Sequence, residues 1–559
     1  MWPSTFGVFL ALQSYLYLLG IALVVYYVGW IIYALCFHPL RHIPGPFLAR
    51  ISRAWITWHI LRGDMEYEQR RLHDMYGPLV RIAPDEVACA DPGAIPIIYP
   101  MKSAPPKSDF YSMWQNPNIG NFPDHFSQRD EKTHAERRRI ISHVYSLTNI
   151  LRSEQYIDNC SNLFMQRMEA YADAGEIVNL GEWLQWYAFD VVGELFFGKM
   201  FGFMQESHDH ENFIASLDLL LPFLSVTSVI PSYLRTLLAV SAFMFPKVRR
   251  AFEAIGTIEA AAKSCVAERA ELLQDPDQDK GPPRRDLLQQ MFSIQQNKGA
   301  EVNFSGKDMA KESYSAIFAG SDTTAIAMRA TLYFLMTNPP IYAQVMSEIN
   351  DAIANGTIPA TGPVAYSQAI KLPLLCASIK EAMRLHPSVG LTLPRDVPPQ
   401  GLVIGDNVHI PGGGTRIGMN AAVVQYDRSV FGEDAHAFRP ARWLEESTAN
   451  MDRCMLHFGA GTRTCLGKNT LESYNRELAA IDPENAPLNS SSIISLSELH
   501  KLIPALLRDF ALELATKEPW KTYNFFFNTQ KGLLVRLQRR NRNVSSASAS
   551  EADAGIVTH

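Results

Sequence analysis

Apolar residues recur at intervals of three and four over 150–172, 183–197, 309–336, 341–354, 374–385 and 499–512, the period of helices that bury one face. Strand patterns are fewer and shorter: a hairpin of 79–83 with 86–90, then 401–410, 415–420 and 533–537. The expected fold is mainly α with small β-sheets. One stretch has no period at all. From Tyr15 to Phe37 nearly every residue is apolar, and no Asp, Glu, Lys or Arg occurs before Arg41. That is long enough to span a bilayer, at roughly 20 residues per crossing. A cleaved signal peptide has a shorter apolar region that follows basic residues, whereas here Arg41, Arg50, Arg53 and Arg62 come afterwards. The positive-inside rule then places everything beyond the span in the cytosol.

Prolines 39, 44 and 46 forbid helix continuation after the span, so 38–46 is expected to be a linker between the anchor at 1–37 and the body. The body, 47–539, has no internal repeat and no long Gly/Ser run, and is expected to be one large domain. The tail 540–559 is Ser/Ala-rich and expected to be disordered.

Composition then narrows the function. The 559 residues are 47% hydrophobic and 19% charged, which excludes a disordered or collagen-like chain. With 51 Lys+Arg against 57 Asp+Glu, the net charge of −6 argues against nucleic acid as a partner. Seven cysteines without a CxxC pair suggest neither a zinc ribbon nor a disulfide framework. Sequons at Asn159, Asn303, Asn355, Asn489 and Asn543 are expected to be unused in the cytosol.

The most specific stretch is Phe458-Gly459-Ala460-Gly461-Thr462-Arg463-Thr464-Cys465-Leu466-Gly467. It resembles the cysteine-ligand loop of cytochrome P450s, Phe-x-x-Gly-x-Arg-x-Cys-x-Gly, at all five specified positions. The resemblance implies a cytochrome P450 fold and haem b with Cys465 as axial thiolate. Phe458 and Gly461 belong to the haem-binding set, with Gly461 and Gly467 at points of close approach to the ring. A helix beginning at Cys465 would stabilise the sulfur anion, and Arg463 would pair with a propionate.

Other segments stand where that family requires them. Glu381 and Arg384, at i and i+3 of a helix, resemble its Glu-x-x-Arg, and Arg442 in Phe438-Arg439-Pro440-Ala441-Arg442 would complete a buried structural triad. His134-Ala135-Glu136-Arg137-Arg138 resembles the family's Trp-x-x-x-Arg with His134 in place of Trp, so His134 and Arg138 would hold the second propionate. The alternative for these arginines is a solvated basic face. Arg395 is a further expected propionate contact. Ala319-Gly320-Ser321-Asp322-Thr323-Thr324 resembles the oxygen-activation motif and is read as interrupting its helix. There Gly320 would make room for a diatomic ligand, and Asp322 and Thr323 would be the catalytic proton carriers.

The resemblance is greatest to fungal pisatin-demethylase-like monooxygenases. It implies oxidation of a small apolar substrate by O2, with electrons from NADPH through a separate NADPH-cytochrome P450 reductase and cytochrome b5 as a second candidate donor. The reductase would dock near Arg137, Arg139 and Lys468. The expected setting is the endoplasmic reticulum membrane, single-pass, with the catalytic domain cytosolic. The segments expected to touch substrate, 107–126, 203–245, 317–324, 388–394 and 524–528, are rich in Phe, Leu and Val, which favours a ring-containing terpenoid, polyketide or indole. A P450-fold isomerase or dehydratase without a reductase, and an inert haem protein, are the alternatives.

One segment departs from the family. Deleting 470–493 would place Leu466, Ile494, Leu499, Ile503 and Leu506 on one apolar stripe. Those 24 residues, 72 coding nucleotides, are read as a retained intron, with a true loop as the alternative and an inactive product of mis-splicing as its consequence.

Overall fold

The computed structural model describes residues 5–241, 244–274, 284, 286–405, 407–468 and 494–540. The expectations about 470–493 and the tail after Arg540 lie outside the described residues.

The apolar N-terminus forms one helix, Thr5–Ile32, extended by a π-helical turn at Tyr33–Phe37. Leu12–Phe37 has a mean hydropathy of 2.2 and is almost wholly unburied, which fits a membrane anchor. The proline stretch behind it is docked rather than loose. Leu40 and Ile43 are buried, and Pro44 accepts a backbone hydrogen bond from Arg81 at 2.7 Å. A Cβ on Gly45 would lie 2.3 Å from the Arg81 carbonyl oxygen, so only glycine lets the strand and the proline stretch approach this closely. The buried Arg81 guanidinium donates to the carbonyl of Ala34 at 3.1 Å, tying the end of the anchor to the domain.

Among the described residues the body is helical around four small sheets. Strands Leu79–Ala83, Glu86–Cys89, Arg416–Gly418 and Arg395–Asp396 form the largest sheet in that order, the middle pair running parallel. Ile177–Asn179, Leu534–Arg539 and Phe510–Leu514 make a second, and two hairpins complete the set. The main core cluster reaches from Ile119 to Leu537, joining distant parts of the chain.

Several boundaries differ from the periodic pattern, each for a local reason. The segment 150–172 divides at Ser153 into Leu147–Arg152 and Glu154–Ala174. The run 401–410 becomes a hairpin of Leu402–Ile404 and Val408–Ile410, its turn using positive φ at Gly405 and Asn407. The pattern at 499–512 begins earlier as helix Ile494–Asp509, then changes to strand Phe510–Leu514, because Phe510 and Leu512 alternate with exposed Ala511 and Glu513. Helix Gly306–Thr337 opens on a Ser305/Asp308 capping box and runs unbroken through Gly320. The expected interruption there does not exist. Helix Leu180–Phe196, buried along its length, packs on it, and a Cβ at Gly320 would meet Val192 Cγ2 at 2.9 Å.

Glu381, on helix Pro373–Leu385, is fully buried. One of its oxygens accepts from Arg384 at 2.8 Å, Arg442 at 3.0 Å and the Arg439 backbone at 3.0 Å, and the other from Arg384 and Trp443, both at 2.8 Å. The structure thus brings together Glu381, Arg384 and Arg442. Removing the charge would strand two desolvated guanidinium groups, a loss of about 3–5 kcal/mol. Chemical unfolding of Glu381→Gln, followed by far-ultraviolet circular dichroism in detergent, should show that drop, and an unchanged transition would contradict this account.

Candidate functional site

The cysteine loop is held from the triad outwards. The Arg384 guanidinium donates to the carbonyls of Gln425 at 2.7 Å and Ala435 at 2.6 Å. The Gln425 side-chain amide donates back to Arg384 at 2.8 Å, and its oxygen accepts from the backbones of Leu456 at 2.8 Å and His457 at 3.0 Å. Those two residues lead into Phe458, whose carbonyl accepts from the Cys465 backbone at 2.9 Å and closes the loop. Gln425 is absent from any motif, so the sequence offered no signal for it. Gly461 adopts φ of +66°, and a Cβ there would stand 2.3 Å from the Tyr99 carbonyl oxygen. Its close approach is therefore to the backbone at Tyr99 and Pro100, not only to a ring. At Gly467 a Cβ would meet Cys465 Sγ at an ordinary 3.6 Å. A 3-10 turn, Leu466–Lys468, follows the exposed Cys465.

Cys465 and Phe458 line a cavity of about 720 Å³. His134, Arg138, Arg395, Arg463 and Lys107 line the same cavity, so four separated segments converge on it. His134 is buried with Nε2 lacking any hydrogen-bond partner, and burial, with Arg463 nearby, lowers its pKa to about 2. Arg138 donates to the carbonyl of Thr464 at 2.7 Å, bridging helix Glu131–Ile141 to the cysteine loop. Arg395 donates to the Tyr111 hydroxyl at 2.9 Å. Arg463 is already engaged, by the Glu131 carboxylate at 2.6 Å and the Gln128 carbonyl at 2.8 Å. Lys107 is buried without a carboxylate partner, and desolvation lowers its pKa well below the usual lysine value. Sequence reasoning placed Lys107 only in a substrate segment.

A buried imidazole and four basic side chains around one cavity suit anionic partners, and a thiol lines the same space. This donor set fits a haem, whose two propionates supply the charge and whose iron takes the thiolate.

The central helix contributes Phe318, Ala319, Gly320 and Thr323 to the cavity. Thr323 donates to its own i−4 carbonyl at Ala319 at 2.6 Å. Asp322 is not among the lining residues. It accepts from Gln185 at 2.6 Å, Gln185 in turn accepts from Arg329 at 2.8 Å, and burial raises the Asp322 pKa to about 6. Aromatic rings line the same cavity: Trp114 lies 4.6 Å from Phe526 and 5.6 Å from Phe126 between ring centres, and Lys107 Nζ lies 4.5 Å from the Phe126 ring. Val192, Phe196, Phe252 and Ile255 add apolar lining from helices outside the expected segments. Arg137 is committed to Asp308 at 3.0 Å and the Asn303 carbonyl at 2.7 Å, which removes it from the expected docking face, whereas Arg139 is exposed.

Comparison with known proteins agrees with the geometry. Residues 49–470 match the family description Cytochrome P450, the match ending where the intervening segment begins. The cytochrome P450 monooxygenase gsfF of Penicillium aethiopicum is 41% identical over 92% of this chain and 96% of its own length. ACRTS1 of Alternaria alternata, also a cytochrome P450 monooxygenase, is 36% identical over 72% of this chain and 99% of its own. A pisatin demethylase of Fusarium vanettenii is 31% identical over 92% and 91%. A thiol loop built on a buried Glu-Arg-Arg triad, a cation-lined cavity and matches that span nearly the whole chain have one explanation: it belongs to the cytochrome P450 family of haem-thiolate monooxygenases.

Proposed function

We propose that the chain is a membrane-anchored monooxygenase that hydroxylates, or oxidatively demethylates, an apolar ring-containing metabolite. The composition of the cavity carries this reading, with a thiol, basic side chains and aromatic rings lining one space. Cys465 would supply the thiolate that holds the haem iron, with Phe458 and Gly461 in the same loop. His134, Arg138, Arg395, Arg463 and Lys107 would meet the propionates. Bound there, haem supplies O2 activation, with thiolate electron density favouring O–O cleavage. The pisatin demethylase relatives support the demethylation arm.

The chain's own residues handle binding and protons. His134, kept neutral by its depressed pKa, donates an N–H as a dipole rather than as a cation. Asp322, its pKa raised to about 6, would exchange a proton on the buried side of the helix, and Thr323 is the residue that lines the cavity. Proton delivery therefore requires Thr323 to release Ala319 and turn inward. No flavin or nicotinamide fingerprint occurs in the sequence, so electrons come from a separate NADPH-cytochrome P450 reductase, with cytochrome b5 as a second donor. The apolar N-terminal helix supports residence in the endoplasmic reticulum membrane with the domain in the cytosol.

Three outcomes follow. Cys465→Ala should lose the red-shifted Soret band of the reduced CO complex, and a retained band would overturn the ligand assignment. Thr323→Ala should keep that band while NADPH consumption outruns product in a reductase-coupled assay; unchanged coupling would leave Thr323 a packing residue. The third concerns pH. Because the folded-state pKa of Asp322 is raised from 3.8 to about 6, the folded chain binds more protons than the unfolded one between those values. Stability is lost as pH rises through that window, and the penalty persists above it. Asp322→Asn should therefore exceed the wild type by roughly 1–3 kcal/mol at pH 8 and by much less near pH 4. Chemical unfolding at the two pH values measures the difference.

A further inference from the structure

The cavity also holds an acid–base pair that the reading above does not use. His125 Nε2 lies 3.0 Å from Glu312 Oε1, both side chains nearly buried and both lining the cavity. A carboxylate at that distance takes the Nε2–H of the imidazole. Nδ1 is buried and has no hydrogen-bond partner. The pair thus offers the Glu312 carboxylate as an acceptor, while the Nε2–H is committed to it. A complementary ligand must bring a donor.

Three surroundings define that donor. His125 is followed directly by Phe126, part of the Trp114–Phe126–Phe526 wall, with Phe126 and Phe526 5.3 Å apart between ring centres. Tyr314 and Phe318 form a second aromatic contact, 4.9 Å apart, on the helix that carries Glu312. Lys107, Arg138, Arg395 and Arg463 line the same space, which disfavours a cationic donor, and Glu312 disfavours a carboxylate. A neutral hydroxyl on an aromatic skeleton satisfies all three. Glu312 precedes Gly320 by eight residues, about 12 Å along the helix. A skeleton of several fused or linked rings, not a single ring, covers that span.

We propose that His125 and Glu312 anchor the phenolic hydroxyl of a polycyclic aromatic substrate, holding the ring system so that its opposite end faces Gly320 and Thr323. The choice of the oxidised end rests on the monooxygenase reading above; the hydroxyl anchor itself does not. His125 and Glu312 are specificity-determining residues, and they take no part in activating oxygen.

The test is equilibrium dialysis of the full chain in detergent with 2-hydroxyanthracene, its methyl ether and its aminomethyl analogue. The wild type should bind the phenol about tenfold tighter than the ether, as expected for one hydrogen bond to a charged or buried acceptor. In His125→Phe and, separately, Glu312→Leu the two dissociation constants should fall within about twofold of each other, with ether affinity retained. A wild type that shows no phenol preference, a preference that survives both variants, or tightest binding of the ammonium compound would each overturn the proposal. The reduced CO spectrum, recorded in parallel, reports on the haem-thiolate reading separately, since the dialysis result does not depend on iron chemistry.

Discussion

A fully desolvated carboxylate, Glu381, sets the position of nearly everything around the cavity. Taken alone it is unfavourable, since an unpaired buried anion costs several kcal/mol. It becomes tolerable only when Arg384, Arg442, the Trp443 indole and the Arg439 amide all reach it at once. That requirement locks helix Pro373–Leu385 to the irregular segment 431–444, hundreds of atoms that have no sheet or long helix of their own. Through Arg384 and Gln425 the same constraint passes to Leu456 and His457, and so to the loop that presents Cys465. The thiol is placed by a relay of buried hydrogen bonds rather than by the loop's own sequence.

The opposite electrostatic problem stands among the basic side chains of the cavity. Lys107, Arg138, Arg395 and Arg463 repel one another, and Glu131 is the carboxylate that answers Arg463 directly. Burial of so much positive charge is paid for elsewhere in the fold unless anions enter the cavity. Two propionates meet that need, which makes the cofactor part of the stability of this region as well as of its chemistry.

Legibility in the sequence tracked how local the cause was. The anchor, the long helices and the first hairpin each owe their form to a pattern of period 3.6, period 2 or no period within one stretch. The triad and the cysteine loop were legible because their residues recur at fixed spacings. Strand Ile177–Asn179 was not, since it is three residues long and exists by pairing with Leu534–Arg536, and neither was the hairpin of Lys521–Phe525 with Phe527–Lys531, whose positions are largely polar. Lys107, Gln425, His125 and Glu312 were likewise invisible. Each acquires its role from neighbours tens to hundreds of positions away, and one sequence contains no sign of those contacts.

The central helix shows how a motif can be read correctly by position and incompletely by cause. Gly320 suits a site for a small ligand, yet the nearest obstacle to a larger side chain there is Val192, so glycine is also demanded by the packing of two buried helices. Thr323 lines the cavity, yet its hydroxyl is satisfied by Ala319. Asp322, one residue earlier and about 100° around the helix, is committed to Gln185 on the buried side. Asp322 and Thr323, adjacent in the chain, thus present a carboxyl and a hydroxyl on different sides of one helix. Because Thr323 already has an acceptor, breaking that bond costs on the order of 1 kcal/mol, small enough for a new partner in the cavity to repay. The resting hydrogen bond satisfies the Thr323 hydroxyl, and the burial that hides the neighbouring carboxyl is what raises its pKa to about 6.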